Sequence, residues 1–298
     1  MSPLWRARSF IAVALCIALS DSACSIARDA NIAVFADRDA GVGEFSSRWT
    51  RAFFAWLETA NADLVVSYVE RAEEINTLFP GGCILSDAAA LPSLRLWVQP
   101  GGSADNQSAM LGPGGRDNLL NFAAAKGRGH YMGTCAGSYF AAGTYWWGEA
   151  GGDTRFFPNA WMPHWTPTVE GPIRELAVYP DYTATQLSNG LTQVYWGGPA
   201  LGYEKTTAAL PDGATLLSTY ADAALPRGIP AAWIYRGAYV DALLLSPHPE
   251  AQAGVGVSCA PPLPPGCITK EQQLANWQWL AAQINELTGS TWVVPDSL

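Results

Sequence analysis

Short apolar runs alternate with amphipathic stretches along the first half of this chain. Residues 31–36 (Asn-Ile-Ala-Val-Phe-Ala) form a continuous apolar run of strand length. The segment 45–60 follows with Trp49, Phe53, Phe54 and Leu57 at helical spacing. Residues 64–68 and 93–98 predict a second and a third strand, the third ending at Gln99-Pro100-Gly101-Gly102. A helix is expected over 116–125, then a short strand into Cys135 and a helix onward through 142. Strand alternating with helix, with strands apolar on both faces, predicts an α/β fold: a mostly parallel sheet with helices on both sides. In such a sheet the ligand crevice lies outside the carboxyl ends of the strands. Asp37, Gly101, Gly102 and Cys135 all fall on that edge.

The pattern changes over 145–200, an insert rich in aromatic residues, Pro and Gly that holds Trp146, Trp147, Phe156, Phe157, Trp161, Trp165 and Trp196. It reads as loops and short strands beside the crevice, its rings filling a loop-rich core in preference to forming a ligand platform. Strands return at 214–220, 231–235 and 238–245, the last two joined through Arg236-Gly237 as a hairpin. Thr269 with Gln272 forms a capping box that opens a terminal helix. Its stripe of Leu274, Trp277, Ala281 and Ile284 is a core face.

The first 23 residues resemble an export signal, with Arg6 and Arg8, an apolar stretch over 10–19 and small residues after it. Cleavage is placed within 20–27, after Ser20, Ala23 or Ala27. The apolar stretch falls short of the roughly 18 residues a membrane span requires, and no other window reaches that length. About 270 residues remain, read as a single domain over 29–298. Net charge is −9, and loss of Arg6, Arg8 and Asp21 with the signal removes a net +1 to leave −10. With no basic patch to offset it, that surface repels phosphate backbones and excludes nucleic acid as a partner.

Export implies an oxidising compartment, where cysteines pair. Cys16 lies in the signal. Cys259 and Cys267 bracket a Pro-rich loop that a disulfide closes, and Cys24 is available to Cys83 if cleavage precedes it. Cys135 is the odd thiol. Asn106-Gln107-Ser108 is a glycosylation sequon, relevant only in a eukaryotic secretory pathway.

That thiol sits in Gly133-Thr134-Cys135-Ala136-Gly137-Ser138, between a strand and a helix. Glycines on both sides allow a sharp turn that pushes the side chain outward, the arrangement of a nucleophile elbow. A thiolate here also gains from the positive end of the helix beside it. A thiol nucleophile needs a base, and the chain has three histidines. His130 stands at the far end of the nucleophile strand, roughly 17 Å away at 3.3 Å per residue. His164 lies in the aromatic insert. His248, in Ser246-Pro247-His248-Pro249-Glu250, leaves a strand end, and Glu250 is placed to turn back and orient its ring. Gly101 and Gly102, with the N–H of Ala136, are the expected oxyanion hole.

Together Pro100-Gly101-Gly102, the run from Gly133 through Tyr139-Phe140, Tyr195-Trp196-Gly197-Gly198-Pro199 and His248-Pro249-Glu250 resemble the class I glutamine amidotransferase-like proteins. The resemblance is strongest to the N-terminal domain of biotin-protein ligases (BPL_N), and spans 31–250. It implies a flavodoxin-like three-layer α/β/α sandwich with Cys135, His248 and Glu250 as triad and Gly102 with Ala136 at the oxyanion hole. Ligation is not expected, because the stretch after Glu250 is too short for a biotin ligase catalytic domain and 126–129 does not match a biotinyl-adenylate loop.

The sequence thus predicts an exported cysteine hydrolase acting on an amide or γ-glutamyl-type bond of a small-molecule or peptide substrate. The alternative is a small-ligand-binding module that retains the crevice without turnover. No cofactor is expected and no metal, since three scattered histidines and the cysteine spacing match no ligand pattern.

Overall fold

The computed structural model describes residues 24–78, 81–141, 183–199, 213–221, 230–255 and 267–298. The elements in chain order are β1 (Ile32–Phe35), α1 (Glu44–Glu58), β2 (Val66–Val69), a 3₁₀ turn (Ala72–Ile75), β3 (Leu96–Gln99), α2 (Ala104–Ala123), β4 (His130–Thr134) and α3 (Ala136–Ala141). They continue with β5 (Thr183–Gln186), β6 (Thr192–Tyr195), β7 (Ala214–Thr219), β8 (Pro230–Arg236), β9 (Asp241–Leu245) and α4 (Lys270–Thr288).

Among the described residues, seven strands form one sheet in the order β2-β1-β3-β4-β9-β8-β7. The first five run parallel, and β8 and β7 add to the edge antiparallel. The apolar runs explain the layering. Every residue of β1, β3 and β4 is buried, as strands covered on both faces require. Alternate residues point to opposite faces. Ala33, Phe35, Trp97, Tyr131 and Leu244 pack with α2 and α3 residues such as Leu119, Phe122 and Phe140. Ile32, Val34, Leu96, Val98, Met132 and Leu243 pack with Phe53, Phe54 and Leu57 of α1 and with Trp277, Leu280 and Ile284 of α4. The result is the expected three-layer α/β/α, flavodoxin-like arrangement.

The capping box forms as predicted, with Thr269 Oγ1 accepting from Gln272 N–H and Gln272 Oε1 accepting from Thr269 N–H. α2 opens at Ala104, capped by Ser103 Oγ. Gly112, at φ 62° and ψ −178°, is not helical and Pro113 follows it, so α2 is two helical stretches meeting at a kink, and the helix expected over 116–125 falls in the second of them. Flanking packing of Leu111 and Leu119 in one core holds the two halves together.

Cys24 is joined to Cys83. Cys267 is disulfide-bonded; its expected partner Cys259 lies outside the described residues, as do the export stretch 1–23, His164, and Trp146, Trp147, Phe156, Phe157, Trp161 and Trp165. No helix among the described residues is long and apolar enough to cross a membrane.

The Cys24–Cys83 bridge closes a 59-residue separation. Replacing both cysteines by serine is expected to lower unfolding free energy by about 2–4 kcal/mol, through the freedom returned to the unfolded chain. Urea denaturation of the double variant beside the wild type measures this, and coincident curves would contradict it.

Candidate active site

The sheet order places β3 and β4 side by side, and the loops leaving β1, β3, β4 and β9 meet at their carboxyl ends. A cavity of about 400 Å³ opens there, lined by Gly41, Gly102, Ser103, Ala104, Asp105, Cys135, Ala136, Tyr139, Trp196 and Gly197.

Cys135 is the one non-glycine residue with positive φ among the described residues, at 51°. Such a conformation is costly for an L residue and persists only where its surroundings hold it. Here they do. Its N–H donates to the Leu245 carbonyl at 2.8 Å, and Ser138 Oγ lies 2.8 and 2.9 Å from the carbonyls of Gly133 and Leu245 while accepting from Leu245 N–H. The flanking glycines answer to close approach. A Cβ at Gly137 would lie 1.9 Å from the Gln99 carbonyl oxygen, and one at Gly133 would lie 2.5 Å from the Gly137 oxygen. Cys135 is a free thiol, mostly buried, with Sγ 3.3 Å from the Trp196 carbonyl oxygen.

His248 follows β9 and is fully buried, its N–H donating to the Val194 carbonyl at 2.7 Å in an antiparallel bridge to β6. Its Nδ1 lies 2.8 Å from Glu250 Oε1. The Trp49 ring meets the imidazole edge-on at 5.4 Å, and Trp277 Nε1 donates to the Glu250 carbonyl at 3.1 Å. Gly101 lies between ring and thiol. A Cβ there would be 2.7 Å from His248 Cε1 and 3.3 Å from Cys135 Cβ. His248 Nε2 and Glu250 Oε2 are buried with no hydrogen-bond partner among the described residues.

Burial works against a charged His248 ring, but the Glu250 carboxylate and the Cys135 sulfur outweigh it and push its pKa from the ordinary 6.5 up to about 10. The sulfur that exerts that pull also lies 3.3 Å from the Trp196 carbonyl oxygen. Burial, reinforced by the Cys135 charge, holds the Tyr195 phenol well above its usual range, so it stays a donor, to the Gly198 carbonyl at 2.9 Å.

The expected oxyanion donors divide. Gly101 N–H is committed to Ser46 Oγ at 2.8 Å, so it is not available to a substrate, and that expectation is corrected. Gly102 stands at φ 142° on the cavity lining, in a bridge to Val42 whose bonds are made by the neighbouring residues, Gly43 N–H to the Gly101 carbonyl and Ser103 N–H to the Gly41 carbonyl. A Cβ there would meet the Gly41 oxygen at 2.1 Å, so only glycine fits. Ala136 opens α3, where a first-turn N–H has no acceptor in its own helix.

Other expectations fall elsewhere. Asp37 reaches the predicted edge but serves the turn there, accepting from Ala40 and Ala72 N–H at 2.9 and 2.7 Å. His130 begins β4, at the opposite end from Cys135, and burial depresses its pKa. Trp196, expected as core filling, is half-buried and lines the cavity. Ser46, Trp49 and Trp277 were not expected near the site. Their only sequence signal was helical periodicity, which reports a buried face and not what lies against it. Among the described residues no group of three or more His, Cys, Asp or Glu is gathered to hold a metal ion.

No protein-family model and no curated protein sequence matches the chain. Among solved structures, a glutamine amidotransferase superposes with TM-score 0.50 at 14% identity, over 87% of this chain and 100% of that one. The likeness is one of fold. A β-galactosidase from Rahnella sp. R3 matches with TM-score 0.42 at 14% identity, over 87% of this chain and 31% of that one. A ThuA-like protein from Bacteroides uniformis ATCC 8492 matches with TM-score 0.43 at 10% identity, over 74% and 83%.

Two outcomes are expected from the geometry. Gly137→Ala is expected to cost at least about 2 kcal/mol of stability in urea titration, since backbone must move to admit the methyl group. In an NMR titration, the ring of residue 248 is expected to stay imidazolium as pH rises well past 6.5 and to lose its proton near 10. Glu250→Gln removes one of the two negative partners and brings that midpoint down. A wild-type midpoint near 6.5 would contradict the charge pairing.

Proposed function

We propose that this protein is an exported cysteine hydrolase of the class I glutamine amidotransferase-like type, closest to the biotin-protein ligase N-terminal domain, which cleaves an amide or γ-glutamyl-type bond. One observation carries the reading: a thiol held at φ 51° over a cavity, beside a buried imidazole whose outer nitrogen is unpartnered. A packing cysteine needs neither the strained backbone nor the orphaned nitrogen.

In this reading Cys135 thiolate attacks the scissile carbonyl carbon, forming a C–S bond and a tetrahedral oxyanion that accepts hydrogen bonds from Gly102 and Ala136 N–H. The imidazolium of His248 gives its Nε2 proton to the leaving nitrogen as the C–N bond breaks, leaving a thioester. Water then gives a proton to Nε2, attacks the thioester carbon and expels the thiolate. Glu250 holds Nδ1–H and the ring orientation throughout.

The contact of Cys135 Sγ with the Trp196 carbonyl at 3.3 Å favours a second reading, a binding module without turnover, because it offers the thiol an acceptor other than the base. The two readings diverge on substitution. For the hydrolase, Cys135→Ala abolishes turnover of amide substrates and His248→Ala lowers it by about 10²–10⁴. Iodoacetamide alkylation of Cys135 near pH 7 is also expected to slow about tenfold in His248→Ala. Equal alkylation rates in the two proteins would remove the case for activation. A small molecule retained on purification equally by wild type and Cys135→Ala would favour the binding module.

A further inference from the structure

Resting on the hydrolase reading of the same cavity, we infer that Asp105 selects substrates carrying a positively charged amine beside the bond that is cut. Of the described side chains lining the cavity, Asp105 alone is a carboxylate, and none is a lysine or arginine. The other walls are small or aromatic: Gly41, Ala104, Ala136, Tyr139, Trp196 and Gly197. Asp105 sits in the first turn of α2, three residues beyond Gly102. Each of the ion pairs among the described residues joins other groups, and the Asp105 side chain makes no hydrogen bond among them.

A second, independent feature makes this a ligand site and not merely an acidic surface residue. Cys135 itself lines the same cavity, and the fully buried His248 ring stands beside that thiol with Gly101 between them. The cavity thus holds the thiol and a carboxylate with no cationic side chain paired to it among the described residues, in about 400 Å³ that fits a group the size of one or two amino acids. A carboxylate in a partly enclosed, mostly apolar space interacts with an ammonium group more strongly than in water, and repels a carboxylate. The substrate class is therefore a short acyl chain bearing an amine, such as an aminoacyl or diaminoacyl amide. An anionic acyl chain without an amine is disfavoured.

Charged methanethiosulfonates test this without requiring turnover. The Cys135 thiolate attacks the sulfenyl sulfur, the S–S bond to the reagent's thiol portion forms, and methanesulfinate departs. The trimethylammonioethyl and sulfonatoethyl reagents differ mainly in charge, and the rate of each is divided by its rate with glutathione. The normalised cation-to-anion ratio is expected to exceed one in the wild type and to fall about tenfold in Asp105→Asn, the order of one charge-assisted contact. Asp105→Glu should restore most of it. Glu286→Gln removes one negative charge near Arg236, at the opposite edge of the sheet, and should leave the ratio unchanged. A ratio insensitive to Asp105→Asn, or lowered as much by Glu286→Gln, overturns the inference. Circular dichroism of each variant checks folding. Charge selection that depends on Asp105, together with no hydrolysis of any amide, would leave the cavity's preference for a cation standing and remove the hydrolase.

Discussion

The hydrogen bond from Cys135 N–H to the Leu245 carbonyl is the contact on which the site depends. It extends the parallel pairing of β4 with β9 by one step beyond Thr134 and Leu245, at the point where the chain leaves the sheet. That single step fixes the strained elbow and, three residues beyond Leu245, the imidazole. Ser138 braces the same corner from α3, bonding to both strands. The two glycines beside the thiol let α3 lie close enough for this bracing, since a methyl group at either would collide with backbone. Loss of register between these two strands would move sulfur and ring apart together.

The buried His248 and Glu250 pair is expensive for the fold. Taking both groups out of water costs several kcal/mol each, recovered only when every polar atom is satisfied. Here two are not: Nε2 on the ring and Oε2 on the carboxylate. Apolar residues of similar volume would pack this corner at lower cost, so the unsatisfied atoms mark a place where the sequence departs from the most stable solution. The surroundings are correspondingly rigid. Trp49 from α1, Val194 from β6 and Trp277 from α4 each fix part of the turn from a different direction.

Much of the architecture was legible because it rests on local pattern. Apolar runs of strand length at 31–36 and 93–98, and the capping box at Thr269, are short-range signals, and the elements formed where the signals stood. The first half of α2 was not legible. Gly112 and Pro113 do break the helical path, and the stretch before them packs with the one after them through Leu111 and Leu119 in the core beneath. The fate of the Gly101 amide was equally hidden, since Ser46 lies far away in sequence on α1.

By itself the sequence marked the candidate residues: a cysteine between glycines, a histidine followed two places later by a glutamate, and a glycine pair after a strand. These are properties of residue type and short spacing, and they survive any arrangement of the rest. Only the tertiary structure decided which of them meet and which donors remain free. It gave the Gly101 amide to Ser46, set Gly102 on the wall of the cavity, and brought Trp196 from the aromatic segment to the same wall. The physical reason is that hydrogen-bond satisfaction in a packed interior is settled by neighbours distant in the chain, whose identity no local pattern contains.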